Sequence, residues 1–200
     1  MAFGTGQRNL FGHCYMSYPF FPDDVAFAQR FLARAGFYRA AIDGDWGPKT
    51  DHAYDAFVRE TARIAAELGT FDARSERHIA TLLPEAQKAA RLFLKKAIGG
   101  GHDVRILSGT RSYAEQATLF RKGRWGNPGP RVTNARPGQS LHHHGVAWDI
   151  GVFKNGQYQT AQAPYVAVAK YHDPATTEWG GSWKSFKDTP HYQLRQYVKL

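Results

Sequence analysis

The chain has 200 residues, 42% of them hydrophobic and 14% aromatic, with 26 Lys and Arg against 17 Asp and Glu for a net charge of +9. That apolar share supports a packed core and excludes whole-chain disorder, and no stretch approaches the ~18 apolar residues of a membrane-spanning helix. The lone cysteine, Cys14, excludes an internal disulfide and a cysteine-rich zinc site, so any metal falls to histidines and carboxylates.

Residues 1–22 are aromatic but interrupted by Gly, Gln, Arg, Asn and His. They lack the continuous apolar segment of a secretory signal and read as an N-terminal extension. Asp23-Asp24 then caps a helix whose apolar positions Val25, Ala28, Phe31, Leu32 and Ala35 follow helical spacing, and Gly36 stops it. Asp43-Gly44 and Trp46-Gly47 read as tight turns. Pro48 opens a second helix that runs to about Leu68, where Gly69 and Thr70 break it.

Charge changes at this point. Residues 1–73 carry 7 basic and 9 acidic side chains, whereas 74–200 carry 19 and 8, a net of +11. The shift predicts two units, 23–73 and 74–200, the second suited to a polyanion: nucleic acid, an anionic membrane surface or a carboxylate-rich wall. No zinc-finger, basic-zipper or RNA-recognition signature supports nucleic acid.

Ser75 begins the new segment. Pro84 opens a helix with Ala86, Ala89, Ala90, Phe93, Leu94, Ala97 and Ile98 on one face, ended by Gly99-Gly100-Gly101, and Val104–Leu107 is a short buried strand. Ser112 with Glu115 forms a capping box for a helix through Lys122. Residues 123–139, rich in Gly, Pro and Arg, form a loop long enough to be functional. Val146–Phe153 alternates as a strand, Asn155-Gly156 turns a hairpin, Pro164–His172 is helical, and His191–Leu194 is a closing strand. Helices first and strands later predict α+β with an antiparallel sheet.

The chemistry concentrates in Ser140-Leu-His-His-His-Gly-Val-Ala-Trp-Asp149 and Asp188-Thr-Pro-His191. On its strand Asp149 shares a face with Ala147 and Gly151, two residues small enough to leave space around a carboxylate. Two histidines and one aspartate give zinc three ligands and an open fourth position. A carboxylate beside that position must take a proton from water and pass it to the leaving amine. Asp188, three residues before His191, is the candidate, or else a turn cap before Pro190.

Two resemblances extend this reading. The run AQRFLARAGFYRAAIDGDWGPKTDHAYDAF resembles the small helical peptidoglycan-binding module of bacterial and phage wall hydrolases, through Gln29, Leu32, Gly36, Phe37, Tyr38, Asp43, Gly44, Gly47, Thr50, Ala53 and Phe57. Val58 stands where that module usually has Gln. The resemblance implies wall contacts at Asp43 and Trp46. Residues 76–197 resemble the zinc peptidases that include D-Ala-D-Ala carboxypeptidases, vancomycin-resistance dipeptidases and phage L-alanyl-D-glutamate endopeptidases. The residues that carry this are SGTRSYAEQATLF, Ser-x-His-x-x-Gly-x-Ala-x-Asp and Asp-x-x-His. The resemblance implies His142, Asp149 and His191 as ligands of one catalytic zinc and Asp188 as general base. It implies that Arg111 steadies the oxyanion or a substrate carbonyl, where the alternative is structural pairing. His144 is a second-sphere or substrate residue, and Gln116 faces either the core or the site.

The expectation is therefore an α+β lytic enzyme of phage type, monomeric, acting on peptidoglycan. It combines a small helical wall-binding module with an antiparallel-sheet zinc peptidase domain and cuts the L-Ala–D-Glu bond. It is made in the host cytoplasm without a signal peptide and reaches the wall through a separate pore protein. The alternatives are a D-Ala-D-Ala carboxypeptidase of the same fold and a non-catalytic wall-binding protein.

Overall fold

The computed structural model describes residues 24–197. The extension at 1–22, Asp23 of the expected cap and Cys14 lie outside the described residues. Helix α1 (Val25–Arg34) begins where the Asp24 carboxylate accepts from the Phe27 amide at 2.9 Å. Helix α2 (Pro48–Leu68) starts on its proline, and Gly69 follows it at φ +95°. The turn between them is built on Gln29, fully buried on α1. Its Nε2 donates to Asp43 Oδ1 at 2.7 Å, and its Oε1 accepts from the Asp43 and Gly44 amides at 3.1 and 3.0 Å.

Helix α3 (Ala73–Ile79) has no counterpart among the expected elements and spans Ser75, where the sequence suggests only the start of a new segment. The Asp72 carboxylate caps it by accepting from the Arg74 and Ser75 amides, both at 3.1 Å. Only Ser75 and Ile79 of this helix are buried, so no apolar periodicity announces it. Ser75 is instead a joint: its Oγ donates to Asp72 and accepts from the Ile106 amide at 2.9 Å. Helix α4 (Pro84–Gly99) buries Ala86, Ala90, Phe93, Leu94 and Ala97 as the spacing predicts, whereas Ala89 is half-buried and Ile98, in the last turn, is exposed. It also buries Arg91, whose Nη1 donates to the Gly69 carbonyl and Glu76 Oε1, both at 2.8 Å, and whose Nη2 donates to Glu76 Oε2 at 2.7 Å. Arg91 is buried and Glu76 half-buried, so this bracket ties the end of α2, α3 and α4 together.

Strand β1 (Asp103–Ser108) is followed by α5 (Tyr113–Arg121), which starts on the Ser112/Glu115 capping box. Then come a 3₁₀ turn at Leu141–His144, β2 (Ala147–Lys154), β3 (Gln157–Tyr158), α6 (Gln162–Ala169), β4 (Thr177–Trp179), a 3₁₀ turn at Gly180–Ser182 and β5 (His191–Leu194). The sheet runs β1-β2-β5-β4, with β3 as a hairpin on β2, and every pair is antiparallel.

One hydrophobic cluster joins Phe31 and Leu32 of α1 and Ala53 and Phe57 of α2 to Leu94, Ile106, Trp148, Ile150 and Tyr192. The core thus runs across the 73/74 position, which falls in the first turn of α3. Helices α1 and α2 form part of the support beneath the sheet.

Candidate metal centre

The register of β2 against β5 sets Asp149 directly opposite His191. Facing cross-strand side chains lie close together, so the pairing alone brings two of the predicted ligands side by side. The third comes from the 3₁₀ turn. The Ser140 hydroxyl accepts from the His142 amide at 3.3 Å, and Gly145 closes the turn at φ +68°. A Cβ on Gly145 would lie 2.5 Å from Phe31 Cε2 and 3.2 Å from both the Leu83 amide nitrogen and Thr110 Oγ1. Only glycine accepts that conformation and that approach.

The atoms that meet are His142 Nε2, His191 Nδ1 and Asp149 Oδ1. His142 to His191 is 3.3 Å, His191 to Asp149 is 3.1 Å and His142 to Asp149 is 3.4 Å. Ligands at 2.0–2.1 Å on a tetrahedral zinc stand about 3.3 Å apart, so the triangle has the size of one tetrahedral face. The outer hydrogen bonds orient both rings. His142 Nδ1 lies 2.8 Å from the Gly109 carbonyl, which can only accept, so the proton sits on Nδ1 and the Nε2 lone pair points inward. His191 Nε2 lies 2.9 Å from Gln193 Oε1; the Gln193 amide is itself oriented by donating to Glu178 Oε2 at 2.7 Å. The His191 Nδ1 lone pair therefore also points inward.

Arg111 completes the set from the far side of Asp149. Its Nη2 donates to Asp149 Oδ2 at 3.1 Å and Ser108 Oγ at 3.0 Å, and its Nη1 donates to Gln116 Oε1 at 2.8 Å. Pinning Oδ2 leaves Oδ1 for the histidines. Burial by itself would raise Asp149; the two histidines outweigh it and hold the carboxyl well below the usual carboxylate range. Burial would likewise depress His191, but its bond with Asp149 lifts it above the ordinary histidine value. Asp188 lies on the same cleft, raised above a normal aspartate by burial and by the Asp149 charge. Its backbone is held by a hydrogen bond that the Asp188 amide donates to the Gly180 carbonyl at 3.1 Å. A Cβ on Gly180 would lie 2.5 Å from the Asp188 carbonyl and 3.1 Å from His191 Cβ, which explains a glycine there.

The other expected residues are placed as follows. Gln116 is buried, and its Nε2 donates to the Ala135 carbonyl at 2.8 Å, so it ties the 123–139 loop to Arg111 and does not line the cleft. His144 is outside the cleft and has Arg34 among the charges acting on it. Asp43 is spent on the Gln29 turn, and Trp46 donates to Asp51 Oδ1 at 2.7 Å; neither reaches the metal centre. The space expected beside Gly151 is filled: a Cβ there would lie 2.5 Å from Leu107 Cδ1. The cleft holds about 420 Å³, and its walls include Val132, Thr133, Asn134, Trp183, Phe186 and Gln193. None of these was singled out from the sequence. Gln193 was detectable, because two positions along a strand from His191 is the same face.

Together, the helix-backed antiparallel sheet and this His-Asp-His face define a zinc metallopeptidase. A family model described as D-alanyl-D-alanine carboxypeptidase matches residues 133–194. The peptidoglycan L-alanyl-D-glutamate endopeptidase CwlK of Bacillus subtilis (strain 168) is 34% identical over 123 residues, 56% of this chain and 73% of that protein. The crystal structure of the Serratia marcescens L-Ala D-Glu endopeptidase ChiX superposes with a TM-score of 0.50 at 28% identity, covering 62% of this chain and 88% of that one. The chain belongs to this family of zinc peptidases. Among the described residues no helix is long and apolar enough to cross a membrane.

Proposed function

We propose that this enzyme hydrolyses the L-Ala–D-Glu bond of the peptidoglycan stem peptide. The observation that carries the hydrolytic part of this reading is the convergence of three ligand atoms, each aimed by an outer hydrogen bond, at the spacing of a tetrahedral zinc site. His142, Asp149 and His191 would hold the ion. When bound, zinc supplies Lewis acidity and lowers the pKa of water. Asp188 then accepts the proton released by the attacking water and delivers it to the leaving nitrogen. Arg111 has spent three N–H contacts on Asp149, Ser108 and Gln116. Arg111 also lines the cleft, where a developing oxyanion gains most from a fixed charge.

The names of CwlK and ChiX favour an internal cut after L-Ala. The family model's description favours a second reading, removal of a terminal D-Ala. We assign the internal cut and with it a lytic role of phage type, since breaking the stem loosens the wall mesh and trimming its end does not. Passage from the host cytoplasm through a separate pore protein belongs to the same proposal. So does wall contact by residues 23–73; sharing the core with the sheet supports an element fixed to the enzyme rather than tethered beside it. Digesting sacculi and labelling the new amino groups decides the bond. N-terminal D-Glu, with L-Ala left on the muramyl group, is expected; free D-Ala as sole product overturns the assignment.

A further inference from the structure

Trp125 is 73% exposed, the most exposed large apolar side chain among the described residues. It is also one of two described non-glycine residues at positive φ, +49°, a conformation that costs an L-residue roughly 1–2 kcal/mol. The loop around it is a built structure. Arg124 Nη1 donates to the Phe120 carbonyl at 2.7 Å, and its Cζ lies 4.1 Å over the Phe120 ring. Arg124 Nη2 donates to the Thr133 carbonyl at 3.1 Å and to Asn134 Oδ1 at 3.3 Å. A Cβ on Gly123 would lie 2.8 Å from both the Arg131 nitrogen and the Gly129 carbonyl oxygen. The indole touches this frame at the Phe120 ring, 5.6 Å between centroids. Thr133 and Asn134, the anchors of Arg124, are also wall residues of the cleft.

Charge points the same way. No aspartate or glutamate occurs from 116 to 148, while Arg121, Lys122, Arg131 and Arg136 are all exposed. The result is a strained backbone that holds an indole in water, on a frame tied to the cleft wall, in a stretch of chain whose exposed cations have no acidic residue among them.

We propose that Trp125 and the cations around it form a subsite for the amino sugar that carries the stem peptide. The inference rests on the endopeptidase reading, because L-Ala is the first residue attached to that sugar. A peptide seated for cleavage after L-Ala places its sugar just outside the cleft. The apolar C–H face of a sugar ring stacks on an indole, and arginines pair with the carboxylates that the stem peptide carries beyond L-Ala. Binding energy from such a remote group contributes to the specificity of the reaction.

The test compares full-length, zinc-loaded wild type, Trp125→Ala and Trp125→Phe on a disaccharide-linked stem peptide and on the same peptide without sugar. The readout is the ratio of kcat/KM for the two substrates. Trp125→Ala should lower that ratio about 3- to 10-fold, and Trp125→Phe, which keeps an aromatic face, should retain most of it. An unchanged ratio overturns the proposal. Pull-down on peptide-free glycan strands and on phosphatidylglycerol vesicles provides an arm that needs no cleavage. Weaker glycan binding by Trp125→Ala supports the subsite even if wild type cuts a different bond. Loss of vesicle binding alone, with glycan binding intact, overturns it in favour of a membrane contact.

Discussion

Gln193 is the residue whose replacement most directly tests how the metal centre is organised. In Gln193→Leu, His191 Nε2 loses its acceptor at 2.9 Å and Glu178 loses a donor at 2.7 Å. The site is 5% exposed, so water does not freely take the place of the amide. An orphaned buried N–H costs about 1–3 kcal/mol. The ring can escape that cost by moving its proton to Nδ1, where Asp149 Oδ1 accepts at 3.1 Å. The tautomer that recovers a hydrogen bond is the one that cannot ligate. Zinc affinity should therefore fall about 10- to 100-fold, the usual range for loss of a partner behind a ligand. Glu178→Gln keeps an acceptor for the Gln193 amide and should lose less. Chelator competition on the purified proteins gives the affinity, and thermal unfolding of the metal-free forms checks that the fold persists. A Gln193→Leu protein that binds zinc as tightly as wild type would refute the tautomer argument.

Three further predictions follow from the same geometry. Asp188→Asn should keep stoichiometric zinc while activity drops about 100-fold or more; zinc and activity lost together would make Asp188 a ligand instead. Gly145→Ala should destabilise the fold by about 2 kcal/mol or more, combining the cost of positive φ with a Cβ 2.5 Å from Phe31 Cε2, and Phe31→Leu should relieve part of this in a double-mutant cycle read by denaturant melts. Asp72→Ala should cost about 1 kcal/mol at neutral pH through loss of the α3 cap. Burial would raise Asp72, but bonds from Ser75 and Arg74 outweigh it and lower its folded-state value. Its stabilisation is thus present above the unfolded pKa near ~4 and disappears as pH falls through the folded value, so the gap between wild type and Asp72→Ala should close in acid melts.

The parts of this molecule that were readable in the sequence are those encoded locally. The capping box at Ser112, the Asn155-Gly156 hairpin and β5 at His191–Leu194 all appear where their residue patterns put them. The three converging side chains, too, lie in short motifs with fixed spacing. What escaped was long-range or weakly patterned. α3 buries two side chains and so carries no periodic signal. Phe31 reads as an ordinary apolar position on an amphipathic helix, and nothing nearby in sequence says that its ring meets Gly145. The charge shift at 73/74 is a surface property, and the hydrophobic cluster crosses it without interruption. The sequence alone does not place Gln116 in core or site, because its partners, Arg111 and Ala135, are joined to it only by the fold.

The contact between Phe31 and the His142 turn also bears on how this peptidase would be cut and joined to other domains. Domain shuffling assumes that a targeting unit can be cut away and exchanged at a linker. Here a cut at 73/74 would remove the ring packed against Gly145, together with Leu32, Ala53 and Phe57 from the shared core. It would also take the Gly69 carbonyl from Arg91. A fusion is better made with α1 and α2 left in place, as a buttress that the metal-binding turn needs for its shape.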